Sequence, residues 1–323
     1  MRIESRLLEP LAGTPARDEV CRILSLDGGG AKGFYTLGVL RELEAQLKRP
    51  LWQSFDLIFG TSTGAIIAAL LGLGKSVDEV RALYELHVPA LMRHWTKRRR
   101  SIALDQLVVS VFGPAKFTDF LTRIGIVATR WDLERPMIFK SSIELAHGRQ
   151  ATFLPGFGCT VADAVRASCS AYPFFSRPTL TTGSGARVEL LDGGYCANNP
   201  SLYAIADATT ALGFARSTLR VVSVGVGNYP EPKRPRLSWL LRRLAIVQLL
   251  QKTLDINTAS MDQLRAILFR DIATVRINDT FERPEMATDL LEHDVKKLNL
   301  LHQQGAESFA KHEQELSRLF DLT

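Results

Sequence analysis

The sequence is poor in the features that mark membrane-spanning, disulfide-stapled or metal-held proteins. Its four cysteines, Cys21, Cys159, Cys169 and Cys196, form no C-x-x-C pair. That excludes the usual zinc spacing and a disulfide framework, and predicts reduced, mostly buried thiols. The longest apolar stretches, such as Ala65 to Gly74, are far shorter than the roughly 20 residues that cross a bilayer. The opening MRIESRLLEP carries arginine and glutamate where a secretory leader needs an apolar core, so the expected location is the cytoplasm. There is no internal repeat, no low-complexity tract and no oxygen-ligand motif of the calcium-binding kind, so neither a metal nor a cofactor is expected. Histidine is scarce, with six in the chain.

What is present is ordinary globular material. The chain has 323 residues, 46% hydrophobic and 23% charged, enough for one large α/β domain or two small ones. A net charge of +6 is modest for this length. Its clusters say more: Arg93 and Lys97 to Arg100 with Trp95 interleaved, and Lys233 to Arg243, each read as a solvated face or a surface for phosphate or lipid.

The chain is organised around Phe55 to Leu71, FDLIFGTSTGAIIAALL. An apolar strand-like run meets Gly60-Thr61-Ser62-Thr63-Gly64 and continues into a proline-free helical run. Strand, tight turn and helix in that order present a serine at a sharp elbow, with the helix N–H groups aimed at it. Ser62 is the expected nucleophile, with Gly60 and Gly64 permitting the turn.

Upstream, Cys21 to Leu26 reads as a buried strand, followed by Asp27-Gly28-Gly29-Gly30-Ala31-Lys32-Gly33 and a helix over Phe34 to Leu47. A glycine loop capping a helix is an anion cradle. Gly28, Gly30 and Gly33 match G-x-G-x-x-G, but Glu42 and Glu44 come too early for a ribose-binding acid and Asp56 stands at the wrong end of its strand. A triphosphate loop fails because Lys32 is followed by Gly33, not serine or threonine. The remaining use is an oxyanion hole, with the backbone N–H groups of Gly28, Gly29 and Gly30, and onward to Ala31, facing the ester oxygen when Ser62 attacks.

Further along, helices are expected over Lys75 to Met92, interrupted by Pro89, and over Leu104 to Phe112, Lys116 to Ile124, Thr160 to Ser168 and Ser201 to Leu212. Strands are expected within Pro136 to Leu145, in Arg187 to Asp192 and over Leu219 to Gly225. The alternation favours a largely parallel sheet covered by helices. Tyr172-Pro173-Phe174-Phe175 forms an aromatic turn that suits either core or an acyl pocket. Prolines after Gly227 look like a boundary, and the rest reads as helical with a strand-like interlude at Ile272 to Ile277.

Asp192 ends a strand and opens a D-G-G turn with Gly193 and Gly194. A serine needs a base, ordinarily histidine. His293 and His302 follow Asp192 in the order of α/β-hydrolases, but both lie in helical patterns, without the glycine-flanked loop after a strand that such a base occupies. The alternative is Asp192 itself, a poor base at its ordinary pKa and a better one when buried. Chemistry alone leaves both open.

DGGGAKG at Asp27 to Gly33, GTSTG at Gly60 to Gly64 and DGG at Asp192 to Gly194, in this order, resemble the three signature blocks of patatin-like phospholipases. The resemblance spans about residues 21–227 and implies a three-layer α/β/α fold with a largely parallel central sheet, a Ser62–Asp192 dyad and an oxyanion hole at Gly28 to Gly30. It implies one domain over 1–323, with 228–323 a mostly helical extension. The family commonly has arginine where this chain has Lys32, which keeps charge but not guanidinium geometry. The longer phrases ILSLDGGGAKGFYTLGVLRELE and FDLIFGTSTGAIIAALLGLG are similar to bacterial patatin-like effectors of CBASS antiphage systems. That narrower likeness implies activation by a cyclic dinucleotide such as cyclic GMP-AMP, made by a partner nucleotidyltransferase, and attack on membrane phospholipid at the inner face of the cell membrane. It implies no DNA or RNA partner and leaves a homo-oligomer open. The alternatives are a constitutive patatin-like lipase or esterase and a non-enzymatic nucleotide-binding module.

Overall fold

The computed structural model describes residues 19–232 and 238–322, with side chains for all but 238–247 of these. The Lys233 to Arg243 cluster and the opening MRIESRLLEP lie outside the described side chains. Among the described residues eight strands form one mixed sheet: β1 (Cys21–Leu26), β2 (Leu57–Thr61), β3 (Arg123–Arg130), β4 (Arg135–Lys140), β5 (Thr179–Thr181), β6 (Arg187–Asp192), β7 (Leu219–Val224) and β8 (Ala273–Ile277). Their order is β5-β6-β3-β2-β1-β7-β8, with β4 also on β3. The run from β3 to β8 is parallel, while β4, β5 and β6 enter antiparallel. The parallel strands β1, β2 and β7 are nearly continuous apolar runs because both faces are covered.

Among the described residues ten helices supply the covers: α1 (Gly33–Leu47), α2 (Leu51–Ser54), α3 (Thr63–Gly72), α4 (Val77–Met92), α5 (Lys97–Phe112), α6 (Val161–Ser168), α7 (Gly194–Ala197), α8 (Ser201–Ala206), α9 (Ser238–Leu268) and α10 (Val295–Leu319). On one face Leu24, Leu26, Ile58 and Ile126 pack with α1, α3 and α10. On the other Ile23, Leu57, Phe59 and Val127 pack with Ala197, Ala204, Ile205 and Leu212. The result is the expected three-layer α/β/α arrangement. α10 lies directly on α1, where a Cβ at Gly38 would stand 2.0 Å from the His302 carbonyl and one at Gly305 2.0 Å from the Tyr35 carbonyl. Only glycine at both positions lets the two backbones touch.

Several local expectations change. α4 runs unbroken through Pro89, started by a capping box between Ser76 and Glu79. α5 begins at Lys97, so the basic run occupies a helix N-terminus, where the macrodipole disfavours cations. Packing compensates: Thr96 caps the turn, Lys97 stands over the Tyr172 ring at 5.3 Å and Arg100 over the Phe174 ring at 5.8 Å. The helix expected over Lys116 to Ile124 is only a short 3-10 turn, Phe117–Asp119, and β3 begins at Arg123. Gly125 explains the strand, since the Phe59 ring of β2 lies where its Cβ would be, 2.3 Å away at closest. The strand expected over Pro136 to Leu145 is β4 alone, ending at Lys140 before a turn capped by Ser142. α8 stops at Ala206 and widens into a π turn over Asp207–Ala211.

Candidate active site

Three chain segments meet at the carboxyl edge of the sheet, and strand register brings two of them together. β4 covers one side of β3 from Gly125 to Arg130. The other side is shared: β2 pairs along it up to Thr61 opposite Val127, and β6 pairs from the far end down to Asp192 opposite Ala128. The two strands therefore point head to head in one lane beside β3. Their next side chains, on Ser62 and Asp192, must meet where the lane closes.

Ser62 sits on the elbow with φ 53° and ψ −119°, a strained conformation for a residue with a Cβ, costing on the order of 1–3 kcal/mol. The glycines beside it are required by close approach. A Cβ on Gly60 would stand 2.2 Å from the Gly64 carbonyl oxygen, and one on Gly64 2.3 Å from that of Leu26. The Ser62 N–H donates to Ser168 Oγ at 2.8 Å, and Ser168 Oγ donates to the Val127 carbonyl at 2.6 Å, which ties the elbow to β3.

Ser62 Oγ donates to Asp192 Oδ2 at 2.7 Å. The other carboxylate oxygen accepts the Gly194 N–H at 2.7 Å. Asp192 is 1% exposed. Burial pushes its pKa up from 3.8 to about 7, against the opposing pull of the Gly194 and Ser62 hydrogen bonds. Gly193 lies so close to β3 that a Cβ would stand 2.2 Å from the Val127 carbonyl oxygen.

No histidine among the described residues hydrogen-bonds to Ser62 or Asp192. His293 is exposed, and its Nδ1 faces the Leu291 carbonyl. His302 is buried in α10 against α1, with its pKa pushed down to about 4 by desolvation.

The glycine loop runs beside Ser62, and its donors are unequal. The Gly28 N–H donates to the Asn198 carbonyl at 3.0 Å, and the Ala31 N–H to the Leu290 carbonyl at 3.0 Å. Gly28 and Ala31 are thus already engaged. Gly29 and Gly30 line the pocket with Ser62, and neither N–H donates to an acceptor among the described residues. Gly30 has φ +58°, and a Cβ there would stand 2.4 Å from the Leu290 carbonyl oxygen. Lys32 is buried in the first turn after the loop, where desolvation lowers its pKa despite Asp255, Asp289 and Asp27.

An apolar slot opens from Ser62, walled by Ile66 of α3, Val88, Leu91 and Met92 of α4, Leu104 of α5, Phe174 and Phe175 of the aromatic turn, and Leu254 of α9. Its free volume is about 50 Å³, far below the roughly 300 Å³ or more of an ordinary ligand pocket.

A strained serine hydrogen-bonded to a buried carboxylate, a glycine loop with open N–H groups and an apolar slot form a set suited to esters of long acyl chains. The profile of patatin-like phospholipases matches residues 24–205, which contain all three motif blocks. The chain belongs to the patatin-like phospholipase family. It is accordingly a hydrolase with phospholipase activity. Among similar proteins, a cUMP-AMP-activated phospholipase of Escherichia coli is 62% identical over 299 residues, covering 93% of each chain. A cGAMP-activated phospholipase of Pseudomonas aeruginosa is 31% identical over 63% of this chain and 61% of that protein. The crystal structure of VipD from Legionella pneumophila shares 14% identity at a TM-score of 0.48, over 95% of this chain and 68% of that one.

Some of this patatin site had no sequence signal. Ser168 holds the elbow, Asn198 holds Gly28, and Arg276 of β8 grips Asp27 with two hydrogen bonds at 3.0 and 2.6 Å. A polar residue inside an apolar strand, as Arg276 is in ATVRI, was the one hint available.

Proposed function

We propose that the protein is a cyclic-dinucleotide-activated phospholipase that cleaves membrane phospholipid through a Ser62–Asp192 dyad. The observation that carries the chemistry is the 2.7 Å hydrogen bond from Ser62 Oγ to a buried carboxylate at the mouth of an apolar slot. Asp192 takes the hydroxyl proton as Oγ attacks the ester carbonyl. The oxygen that becomes negative faces the Gly29 and Gly30 N–H groups, with Gly28 fixing the loop beneath them. Asp192 then gives its proton to the departing lysophospholipid alcohol, leaving an acyl group on Ser62. Water attacks that ester with Asp192 again accepting the proton, the acyl–Oγ bond breaks as Asp192 returns the proton to Ser62 Oγ, and fatty acid leaves. The bond's chemistry needs no group beyond these residues.

Asp192 must be ionised to serve as base, so its raised pKa sets an acid limb. Fatty-acid release at saturating activator is expected to rise through one ionisation near pH 7 and to fall about tenfold per pH unit below it. A profile flat from pH 5 to 8 would remove Asp192 from the role of base.

The narrow slot, with about 50 Å³ of free volume, supports control by an activator, because movement of α4, α5 or α9 would widen it for an acyl chain. The 62% identical relative is activated by cUMP-AMP, which makes that compound the first activator to test, ahead of cGAMP. A nucleotidyltransferase that makes the signal would be the partner, and host-membrane degradation in CBASS antiphage defence the physiological setting. Exposed Trp95 and Tyr172 lie within three residues of slot-lining Met92 and Phe174, and exposed Lys97 stands over the Tyr172 ring, a cationic and aromatic rim suited to an anionic membrane surface. No helix of the described residues is long and apolar enough to cross a membrane. Pairing of β8 with β7 and packing of α10 on α1 support a single domain over 1–323.

The deciding experiment is fatty-acid release from bacterial phospholipid vesicles with and without cUMP-AMP and cGAMP. Serine-dependent release only with one nucleotide is expected. Equal release without nucleotide would leave a constitutive lipase.

A further inference from the structure

A second concavity lies on the other side of the glycine loop from the acyl slot. It sits at the carboxyl ends of β1, β7 and β8, where the sheet order departs in opposite directions from β1, toward β2 on one side and toward β7 and β8 on the other. Open α/β sheets leave a ligand crevice at such a point. This one encloses about 380 Å³, within the range of small-molecule sites, and α9 forms its outer wall.

Its chemistry is selective. On the floor Arg276 is neutralised by Asp27, and Asn278 stands beside it. On the α9 wall are Asp255, Asp262 and Gln263. Asp262 pairs with Arg265 at 3.0 Å, whereas Asp255 is exposed on the crevice wall, makes no hydrogen bond among the described residues, and its charge acts on buried Lys32. A crevice with surplus carboxylate repels phosphate and accepts from amino groups, and carboxylate and amide side chains are the groups that read the edge of an amino-bearing base.

The crevice is also wired to the active site. Leu254 of α9 lines the acyl slot, and the next residue, Asp255, lines the crevice. Asn257 Oδ1 accepts the Asn198 N–H at 2.8 Å, and Asn198 Nδ2 donates to Thr258 Oγ1 at 2.7 Å and to the Gly28 carbonyl at 3.1 Å. From residue 248 onward α9 buries only Leu250 and Leu254, so its seat on the domain rests on these two side chains and on the hydrogen bonds of Asn257 and Thr258.

We propose that this crevice takes the adenine base of the activating cyclic dinucleotide, with Asp255 accepting from its exocyclic amino group and the phosphates remaining outside. Occupation repositions α9, and with it Leu254 at the slot and Asn198 on the glycine loop. This rests on the activation reading above and gives that reading a site.

Calorimetric titration of the full chain with cUMP-AMP tests it, alongside an analogue whose purine lacks the amino group. Removing one hydrogen bond to a charged acceptor is expected to weaken binding about tenfold to a hundredfold. Asp255→Ala should show that loss with cUMP-AMP and no further loss with the analogue, while wild type loses affinity for the analogue. Ala259→Trp, which fills the crevice, should abolish binding, and labelling of Ser62 by a fluorophosphonate should match wild type in both variants. If wild type binds and is activated by cUMP-AMP while both variants and the analogue behave alike, the base lies elsewhere and activation stands. If wild type binds neither cUMP-AMP nor cGAMP, the activation reading itself falls.

Discussion

Fatty-acid release is expected to fall about a millionfold in Ser62→Ala and about ten-thousandfold in Asp192→Asn. The first change removes the nucleophile. The second keeps the shape and the Gly194 hydrogen bond at one oxygen but leaves no group able to take the Ser62 proton. Assays at saturating activator on phospholipid vesicles measure both, with His293→Ala as the control that should remain near wild type. Retention of a tenth of activity in Asp192→Asn would mean another base serves Ser62.

Stability gives the same substitution a second, opposite readout. Asp192 holds its proton more tightly in the folded protein, near pKa 7, than in the unfolded chain, near 3.8. A carboxyl with a raised folded pKa costs stability as pH rises through that window, by up to on the order of 4 kcal/mol once both states are ionised. Asparagine has no such cost. Asp192→Asn should therefore be more stable than wild type at pH 8, with the gain shrinking below pH 7 and gone near pH 4. Thermal melts across pH read this directly, and an inactive variant that is more stable than its parent separates lost chemistry from lost folding.

Arg276→Met is expected to be the most destabilising single change in the loop's support, by about 3–5 kcal/mol. Arg276 is partly buried, donates to both oxygens of Asp27 and also to Ser223 Oγ at 2.9 Å. Removing it strands a carboxylate that is 1% exposed at the start of the glycine loop. Even with Arg276 present, burial raises the Asp27 pKa above its ordinary value. Without the guanidinium that rise grows, so the deficit should be largest at neutral and higher pH and shrink toward pH 4, where Asp27 becomes protonated in both states. A melting temperature lowered by on the order of 10 °C at pH 7.5 is expected. Asp27→Asn in the same background should recover part of it, since it removes the stranded charge. A melting temperature unchanged by Arg276→Met would show that the pair contributes nothing to the fold.

The sequence was legible where chemistry and chain neighbourhood coincide. Cys21–Leu26, Leu57–Thr61 and Leu219–Val224 are apolar runs ended by glycine signals, and each is a strand. Ser62 announces itself because an elbow needs glycine within two residues on both sides. Other elements depend on partners distant in sequence and left little local trace. β3 reads poorly because Gly125 is there for the Phe59 ring, and α5 begins among cations because Tyr172 and Phe174 receive them.

By itself the sequence determined the serine elbow, the glycine cradle, the buried strands of the parallel core and the D-G-G turn, since each is set by residues adjacent in the chain. Tertiary structure decided which carboxylate meets Ser62 and which N–H groups remain open. The meeting of Ser62 with Asp192 requires β2 and β6 to end head to head beside β3, a matter of strand register. Gly28 and Ala31 are withdrawn by carbonyls of Asn198 and Leu290, and Asp27 is held by Arg276, partners that folding alone brings within 3 Å.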